Sequence, residues 1–199
     1  MFTGIIKGIG TVTEIKRISD TAKLQISTDL TGQINSQIGD SISVDGVCLT
    51  ITKLDNQGFT VDVMPETVHR TNISKYVVNR KVDLEPALLA SDRLDGHFVL
   101  GHVDCTSTVI SRHQDENALV ISFSLPEKYK DYVVEKGSVS VDGVSLTVVD
   151  AINNTFSVSL IPHTMDQTVL GDLMVNDVVN IETDVLGKYI VNKAKEKLK

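Results

Sequence analysis

The chain has 199 residues, of which 41% are hydrophobic, and its formal net charge is −7. That length fits one large domain or two small ones, and the acidic balance argues against nucleic acid and an anionic membrane surface as partners. No apolar run approaches the ~20 residues that span a bilayer, and two cysteines, Cys48 and Cys105, are too few for a disulfide framework. We therefore expect a reduced, cytoplasmic protein that binds neither nucleic acid nor membrane.

Short strand-like runs follow one another through the first half of the chain. They read GTVTEIKRI, KLQIST, DSISV, VCLTITKL, FTVDVM and KVDLE, and turn residues bound each of them. Their alternation and their β-branched residues predict strands, while TGQINSQ predicts a brief helical turn. Short strands in such a series are typical of a small sandwich or barrel, and a closed barrel has no exposed sheet edge.

The second half repeats the series as TSTVIS, ALVISFSL, GSVSV, VSLTVVDA, FSVSLI and VVNIE, with another brief helical turn expected at PEKYKDYV. Residues 86–96 form the joint between the halves. The tail differs, because apolar residues recur there at helical spacing with lysines on the other face. These apolar residues are Leu186, Tyr189, Ile190, Ala194 and Leu198. They predict an amphipathic helix that packs on a domain or on a sister subunit.

One offset relates the two halves. Residues 44–52 read VDGVCLTIT and residues 141–149 read VDGVSLTVV, so six of nine positions are identical. Cys48 becomes Ser145 at an offset of 145 − 48 = 97. The same offset pairs Gly4 with Gly101, Phe59 with Phe156, and Pro65 with Pro162. Generic β patterning explains matching valines but not coincident Gly, Phe and Pro, so we predict a duplicated small domain.

An Asp-Gly pair at residues 45–46 lies between alternating strands, which predicts a two-residue type I′ hairpin turn. That register puts Ser43 opposite Cys48 on one face and apolar residues on the other, and the second copy puts Ser140 opposite Ser145. A solvent-facing strand would carry similar residues. Because both copies keep the polar face, we favour a pocket for a flat, neutral heteroaromatic ligand with imide and hydroxyl groups.

The stretches MFTGI, GVCLT, MPETVHRTN, GHFVLGHVD, DGVSLT and LIPHT resemble the signature stretches of the riboflavin synthase family, in that family's order and over nearly the whole chain. The resemblance implies an all-β fold of two similar six-stranded antiparallel Greek-key barrels from an internal duplication. The domains are then an N-terminal barrel at 1–97, a C-terminal barrel at 98–186, and a helix at 187–199 that packs in a homotrimer.

The resemblance also implies a reaction. Two molecules of 6,7-dimethyl-8-ribityllumazine exchange a four-carbon unit in a dismutation that gives riboflavin and 5-amino-6-ribitylaminouracil, without cofactor or metal. Each barrel binds one lumazine, and an active site forms between the N-terminal barrel of one subunit and the C-terminal barrel of its neighbour. Lumazine synthase is the further partner that the resemblance suggests. Holding both reactants in reacting geometry supplies up to roughly 7–11 kcal/mol.

Substrate-binding residues follow from the resemblance for each barrel. For the N-terminal barrel they are Gly4, Ile5, Ile6, Cys48, Leu49, Thr50, Asp62, Val63, Met64, Pro65, Glu66 and Thr67. For the C-terminal barrel they are Gly101, His102, Val103, Lys136, Ser145, Leu146, Thr147, Ser159, Leu160, Ile161, Pro162, His163 and Thr164. Phe2 is expected near the site, and Asp184 matches a functional acidic residue of the family.

The implied chemistry needs a base for the C7 methyl proton of one lumazine and a nucleophile or water that adds to the other. His102 is the expected proton carrier, since imidazole titrates near neutral pH, and a packed strand histidine is the alternative. Ser145 and Thr147 either assist the addition or only position the ring. Asp184 is expected to orient Ser145 or a water, and Cys48 to bind or relay rather than to act as the nucleophile.

Some candidate residues break the internal symmetry. The offset pairs His102 with Ile5, and Asp184 with an alanine, so only the second half carries these two functional side chains. His163 stands where the family motif and the first half, at Glu66, have glutamate. These mismatches are where donor and acceptor lumazines are expected to be treated differently.

Two alternatives stay open at this point. His97, His102, Asp92, Asp95 and Asp104 suggest a metal site, but the spacing of the two histidines puts them on opposite faces of a strand, so no metal is expected. A non-catalytic lumazine or flavin carrier, like the antenna proteins of luminous bacteria, is the alternative function. The polar residues kept in both hairpins favour the enzyme.

Overall fold

Twelve strands form two closed barrels in the computed structural model, which describes residues 1–197. The first barrel contains β1 (Gly8–Ile18), β2 (Thr21–Ser27), β3 (Ser41–Val44), β4 (Val47–Asp55), β5 (Gly58–Val63) and β6 (Lys81–Pro86). All neighbouring strands are antiparallel, and the order β1-β2-β5-β4-β3-β6 closes back on β1.

The second barrel repeats this arrangement. It contains β7 (Cys105–Asp115), β8 (Ala118–Ser124), β9 (Ser138–Val141), β10 (Val144–Ile152), β11 (Thr155–Leu160) and β12 (Val178–Thr183). Its order β7-β8-β11-β10-β9-β12 is that of the first barrel. Strand β9 begins 138 − 41 = 97 residues after β3, so the predicted pair of six-stranded antiparallel barrels from a duplication is confirmed.

Each barrel encloses its own hydrophobic core. Successive side chains of a strand lie on opposite faces, so alternate residues point inward. In β2, Leu24 and Ile26 are fully buried while Lys23 is exposed, and in β8 the inward residues Ile121 and Phe123 are fully buried. Burying one such apolar side chain stabilises the fold by about 1.5–3 kcal/mol.

Short helical segments lie between some of the strands, and the longest helix follows the last strand. They are α1 (Leu30–Gln33), α2 (Pro65–Arg70), α3 (Pro162–Gln167) and α4 (Val185–Lys197), with 3-10 turns at Asn72–Lys75, Glu127–Tyr132 and Val169–Asp172. Helix α1 and the second of these 3-10 turns confirm the two helical turns expected from the sequence. Helices α2 and α3 both begin with proline, whose fixed φ suits the first position of a helix, where its missing N–H has no helical partner.

The predicted C-terminal helix is α4, which follows directly on β12. The Asp184 Oδ1 atom accepts the N–H of Leu186 at 2.9 Å, as a helix-capping side chain does. The helix lies beside the 3-10 turn Glu127–Tyr132, where the Tyr132 hydroxyl donates to Asn192 Oδ1 at 3.3 Å. Leu198, assigned to this helix from the sequence, lies outside the described residues. Within residues 1–197 no helix is both long enough and apolar enough to cross a membrane.

Both predicted hairpin turns are present. Asp45 and Gly46 have φ angles of 44° and 76°, and the second turn repeats these positive values, as a type I′ turn requires. The register is the predicted one, with Ser43 opposite Cys48 and the equivalent pair in the second copy. The two hairpin tips touch, since a Cβ at Gly46 would lie 2.6 Å from the backbone nitrogen of Gly143.

Equivalent residues also meet near the start of the chain. The N–H of Phe2 donates to the carbonyl of Val99 at 2.7 Å, and the N–H of Val99 donates back to Phe2 at 3.2 Å. These residues are one offset apart (99 − 2 = 97), as are Gly46 and Gly143 at the hairpin tips (143 − 46 = 97). Contacts between equivalent residues are the signature of an approximate twofold axis, which therefore relates the two barrels.

Candidate functional site

Two short segments are exchanged between the barrels. The connecting segment, residues 100–103, lies on the hairpin of the first barrel, where the N–H of Cys48 donates to the carbonyl of Gly101 at 2.9 Å. The N-terminal segment, residues 1–6, lies on the hairpin of the second barrel, where the N–H of Ser145 donates to the carbonyl of Gly4 at 2.8 Å. The sequence interpretation grouped each segment with its own barrel. That grouping is wrong, because the segments cross the twofold axis.

The apolar side chains of the two segments make the same exchange. Val103 is buried in the hydrophobic core of the first barrel, although it precedes the second barrel in sequence. Ile6 packs against the core of the second barrel, although it precedes the first. Each barrel is therefore completed by the segment that leads into its partner.

The crossing requires glycine at both contact points. Gly4 and Gly101 have φ angles of 78° and 77°, in the left-handed region that glycine adopts without steric cost. A Cβ at Gly4 would lie 2.5 Å from the Cβ of Ser145, and a Cβ at Gly101 would lie 2.5 Å from the Cβ of Cys48. Only glycine lets the backbone approach the hairpin this closely.

A pocket of about 360 Å³ lies where the connecting segment meets the first barrel. Of the residues predicted for a site, it is lined by Cys48, Glu66, Thr67, Gly101, His102 and Val103. His102 therefore lies with Cys48 rather than with Ser145. The size falls within the range of small-molecule sites.

The same pocket contains charged residues that the sequence interpretation missed. Arg70 pairs with Glu66 one helical turn away on α2, and Lys188 of α4 pairs with Asp104 at 2.8 Å. Arg70 lay inside the quoted stretch MPETVHRTN at i, i+4 from Glu66, and that spacing on a helix was a usable signal. Lys188 had no such signal, because only the packing of α4 brings it here.

A serine–histidine pair lies at the second barrel's hairpin. The Nδ1 atom of His97 lies 2.7 Å from the Oγ atom of Ser145. His97 is buried, and within residues 1–197 its Nε2 atom has no hydrogen-bond partner. Burial lowers the pKa of His97, and the charge of Asp184 opposes this by raising it. The lowered pKa favours the uncharged ring, and an uncharged imidazole in contact with a hydroxyl can take a proton from a serine or from a water.

This geometry changes the role predicted for Asp184. His97, rather than Asp184, lies at hydrogen-bond distance from Ser145. The Asp184 carboxylate caps α4 and acts on His97 through its charge. His97 was predicted only as a possible metal ligand, and it lies outside the duplicated register, which runs from Gly4 and Gly101 to Leu89 and Leu186. The internal comparison that marked His102 and Asp184 therefore could not mark His97.

Lys136 occupies an unusual backbone position. Its φ angle is 62°, and its N–H donates to the carbonyl of Val148 at 2.9 Å, next to Thr147 on β10. The first barrel has Gly39 at the equivalent place, with a φ angle of 99° and the same bond to Ile51. A lysine held in the left-handed region at some conformational cost is compatible with the predicted binding role.

The remaining predicted residues divide by burial. Phe2, Leu49, Val63 and Leu160 have buried side chains, so only their backbone groups can face a ligand. Ile5 is half-buried and lines a separate cavity of about 370 Å³ with Thr3. Exposed side chains belong to Thr50, Met64, Pro65, Lys136, Thr147, Ser159, Ile161, Pro162 and His163, whereas Ile6, Asp62, Leu146 and Thr164 are half-buried.

One part of the predicted polar face does not face a ligand. Ser43 and Ser140 are each 1% exposed, so their side chains are closed off from solvent. The open part of this face begins at Cys48 and at Ser145, which are half-buried.

The described residues also bear on the metal and thiol alternatives. Among residues 1–197, no three His, Cys, Asp or Glu side chains converge as metal ligands. Cys48 and Cys105 are both free thiols, and burial raises the pKa of Cys105 to about 12. Cys105 is therefore an unreactive thiol, and Cys48 is the thiol at the pocket.

Comparison with known proteins agrees with this duplication. The family model described as "Lumazine binding domain" matches residues 3–87 and 100–184. Both matches are related by the offset found in the sequence (100 − 3 = 97). Solved structures of LumP, complexed with riboflavin and with 6,7-dimethyl-8-(1'-D-ribityl) lumazine, superpose with TM-scores of 0.85 and 0.83. Each match covers 92% of this chain and 99% of that chain at 22% and 21% identity, which establishes a shared fold.

Curated relatives are closer in sequence. Riboflavin synthase of Bacillus subtilis is 40% identical over 98% of this chain and 92% of its own length. Riboflavin synthase of Mycobacterium bovis is 42% identical, and the match covers 96% of both chains. The chain therefore belongs to the riboflavin synthase family.

Proposed function

We propose that this chain catalyses the dismutation of two molecules of 6,7-dimethyl-8-ribityllumazine to riboflavin and 5-amino-6-ribitylaminouracil. The observation that carries the proposal is the pair of twofold-related sites, which carry different reactive groups. The first barrel presents Cys48 and His102 in a pocket, and the second presents Ser145 with His97. A reaction between two identical molecules that have different roles requires two sites that are similar in shape but carry different reactive groups.

In the proposed chemistry, one lumazine loses a proton from its C7 methyl and the other takes up a nucleophile. His102 lines the pocket with an exposed side chain and is the group we assign to the methyl proton. His97, kept neutral by burial, is the base that withdraws a proton from Ser145 or from a water beside it. The four-carbon unit then passes between the two rings.

Binding of the two lumazines supplies much of the acceleration. Two molecules held face to face in reacting geometry avoid the entropy of a bimolecular encounter, which contributes up to roughly 7–11 kcal/mol. Within one chain the two hairpins meet back to back at their tips. We therefore infer that the reacting pair forms between subunits, with the N-terminal barrel of one facing the C-terminal barrel of another.

A homotrimer is the assembly that we propose for this arrangement. Its support is the outer face of α4, where Leu186, Tyr189 and Ile190 are 57%, 75% and 69% exposed. Large apolar side chains in a row on a helix mark an interface more often than a solvated surface. Light scattering is expected to give a mass near three times 21.7 kDa.

Two finer expectations rest on chemistry rather than on contacts. We propose a cytoplasmic location, because the free thiol of Cys48 at the pocket suits a reducing compartment. We also propose lumazine synthase as a partner, since that enzyme makes the substrate. Cell fractionation tests the first proposal, and joint elution of the two purified proteins on size exclusion tests the second.

Flavin absorbance tests the reaction itself. Purified protein incubated with the lumazine and no added cofactor is expected to develop the flavin spectrum, and the Ser145→Ala variant is expected to develop it far more slowly. Tight binding of the lumazine by the native chain without flavin formation would identify a carrier instead.

A further inference from the structure

Two buried glutamates hold the exchanged segments. Glu182, in β12 of the second barrel, is 2% exposed. Its carboxylate accepts three consecutive backbone N–H groups of the connecting segment, from Leu100 at 2.7 Å, Gly101 at 2.8 Å and His102 at 2.9 Å. On its other side, the same segment accepts a hydrogen bond at the Gly101 carbonyl from the N–H of Cys48 in the first barrel. A carboxylate of the second barrel therefore fixes residues that line the pocket of the first.

Glu85 repeats this arrangement at the equivalent position (182 − 85 = 97). It lies in β6 of the first barrel and is 3% exposed. Its carboxylate accepts the N–H and the hydroxyl of Thr3, each at 2.7 Å, and the N–H of Gly4 at 3.0 Å. The Gly4 carbonyl accepts from Ser145, and the Thr3 carbonyl accepts the N–H of His97 at 3.1 Å.

The chemistry of these contacts explains why a carboxylate is needed. Burial raises the pKa of both glutamates, and the bonds from the backbone N–H groups act against that rise by favouring the charged form. All of these partners are donors, so both carboxylate oxygens must accept. Glutamine has nearly the same shape, but its amide would turn an NH2 group towards backbone N–H groups, leaving a buried donor unpaired.

We propose that Glu182 is a positioning residue for the substrate site of the first barrel, and that Glu85 is a positioning residue for the site of the second. Each site then depends on a carboxylate of the opposite barrel. The assignment of these sites to substrate rests on the proposed function, whereas the positioning itself is measurable without any ligand.

Two ligand-free measurements separate the sites. The first is the rate at which iodoacetamide alkylates Cys48, with peptide mapping to distinguish it from Cys105. The second is the ring titration of His97 by NMR. Glu182→Gln is expected to raise the alkylation rate of Cys48 by roughly five- to a hundredfold, because an unpaired buried donor loosens the connecting segment. Glu85→Gln is expected to leave that rate unchanged and to move the pKa of His97 back towards its ordinary value.

The two glutamine variants serve as controls for each other, since they change equivalent residues in the same way. If either fails to fold, as judged by circular dichroism, the corresponding Glu→Asp variant is used, because aspartate keeps both acceptors and loses only reach. Equal effects of both variants on both probes, or effects confined to the barrel that carries the substitution, would overturn the proposal. Turnover of 6,7-dimethyl-8-ribityllumazine by the native chain is measured alongside, so failure of the proposed function shows separately from failure of the positioning.

Discussion

Asp83 of the first barrel and Asn180 of the second occupy equivalent positions (180 − 83 = 97) and make equivalent hydrogen bonds from one barrel to the other. The Asp83 Oδ1 atom accepts the N–H of Val169 at 2.9 Å, and the Asn180 Oδ1 atom accepts the N–H of Asn72 at 2.7 Å. Val169 and Asn72 are themselves one offset apart (169 − 72 = 97). The same place in the fold thus carries a carboxyl on one side and an amide on the other.

This difference predicts the pH dependence of stability. Burial raises the pKa of Asp83 well above its usual 3.8, and the charge of Asp45 raises it further. A raised pKa in an acid means that the folded state holds the proton longer than the unfolded state. The contribution of Asp83 to the free energy of unfolding is therefore fully present below pH 3.8, and it is lost as pH rises through the raised pKa.

Asp83→Asn is accordingly expected to be more stable than the native chain at pH 8, by roughly 1–3 kcal/mol, because a neutral amide has neither the cost of keeping a proton at that pH nor that of burying a carboxylate. By symmetry with Asn180, whose NH2 donates to the Asp45 carbonyl at 2.8 Å, the new amide would face the carbonyl of Asp142. Urea unfolding between pH 4 and pH 8 measures the difference, which should shrink towards pH 4. Asn180→Asp is the mirror control and should destabilise at pH 8, whereas a less stable Asp83→Asn variant there would contradict the explanation.

The Ser145–His97 pair predicts a pH profile for activity. Burial lowers the pKa of His97, so its neutral form persists below the ordinary value of 6.5, and kcat/KM should begin to fall only below that pH. His97→Gln should lower the rate by about 10²–10⁴-fold and remove this acidic limb. Flavin formation from pH 5 to pH 9 provides the measurement, and an unchanged limb in the variant would assign it to another group.

Asp184 is expected to set the pH at which kcat/KM falls on the acidic side. Its charge raises the pKa of His97, so Asp184→Asn should move the acidic limb to lower pH. Asparagine also caps helices well, which keeps α4 in place. Asp172→Asn, at an exposed position of the 3-10 turn Val169–Asp172, is the matched control and should leave the profile unchanged. A shift to higher pH in Asp184→Asn would contradict the assigned interaction.

The exchanged segments predict a strict requirement for glycine. Gly101→Ala is expected to destabilise the chain by about 1–3 kcal/mol and to abolish most activity, because its Cβ would collide with Cys48 and its φ is positive. Thermal unfolding and flavin formation test both effects. Gly32→Ala is the control, since a Cβ there meets no atom within 4 Å outside its own helix and its chain neighbours, and within α1 it should be neutral or stabilising by up to about 1 kcal/mol.

The outer face of α4 predicts the assembly. Ile190→Glu places a charge in the proposed interface and should convert the trimer to monomers with intact barrels, as seen by light scattering and circular dichroism. Activity should fall with loss of the proposed trimer, because we propose that the reacting pair forms between subunits. Lys193→Gln, at an exposed position of the same helix, should leave mass and activity unchanged. Full activity in a monomeric Ile190→Glu variant would contradict a site shared between subunits.

Much of this fold could be predicted because its signals are local or internal. The Asp45-Gly46 turn set the register of its hairpin, and the offset of 97 related every strand of one barrel to the other. The exchange of segments could not be predicted in the same way. An offset says that Gly4 and Gly101 are equivalent, but it does not say which of two equivalent hairpins each one packs on. Only the crossing of the chain at the twofold axis decides that.

The candidate site shows the same division. Cys48, Ser145 and His102 stood in recognisable stretches, so the sequence named them. His97 stands in the same stretch as His102, GHFVLGHVD, but what distinguishes it is its burial and its contact with Ser145, and neither property is visible in a single sequence. Lys188 reaches the pocket only because α4 packs back on the barrels.

The most direct test of the central claim is to count molecules in one reaction. Purified protein is mixed with 6,7-dimethyl-8-ribityllumazine alone, and substrate and products are quantified by chromatography over time. Two sites that carry the two halves of a dismutation predict one riboflavin and one 5-amino-6-ribitylaminouracil for every two lumazines consumed, without added cofactor. Lumazine that stays bound and unchanged, or flavin that appears only when another reactant is supplied, would contradict the account.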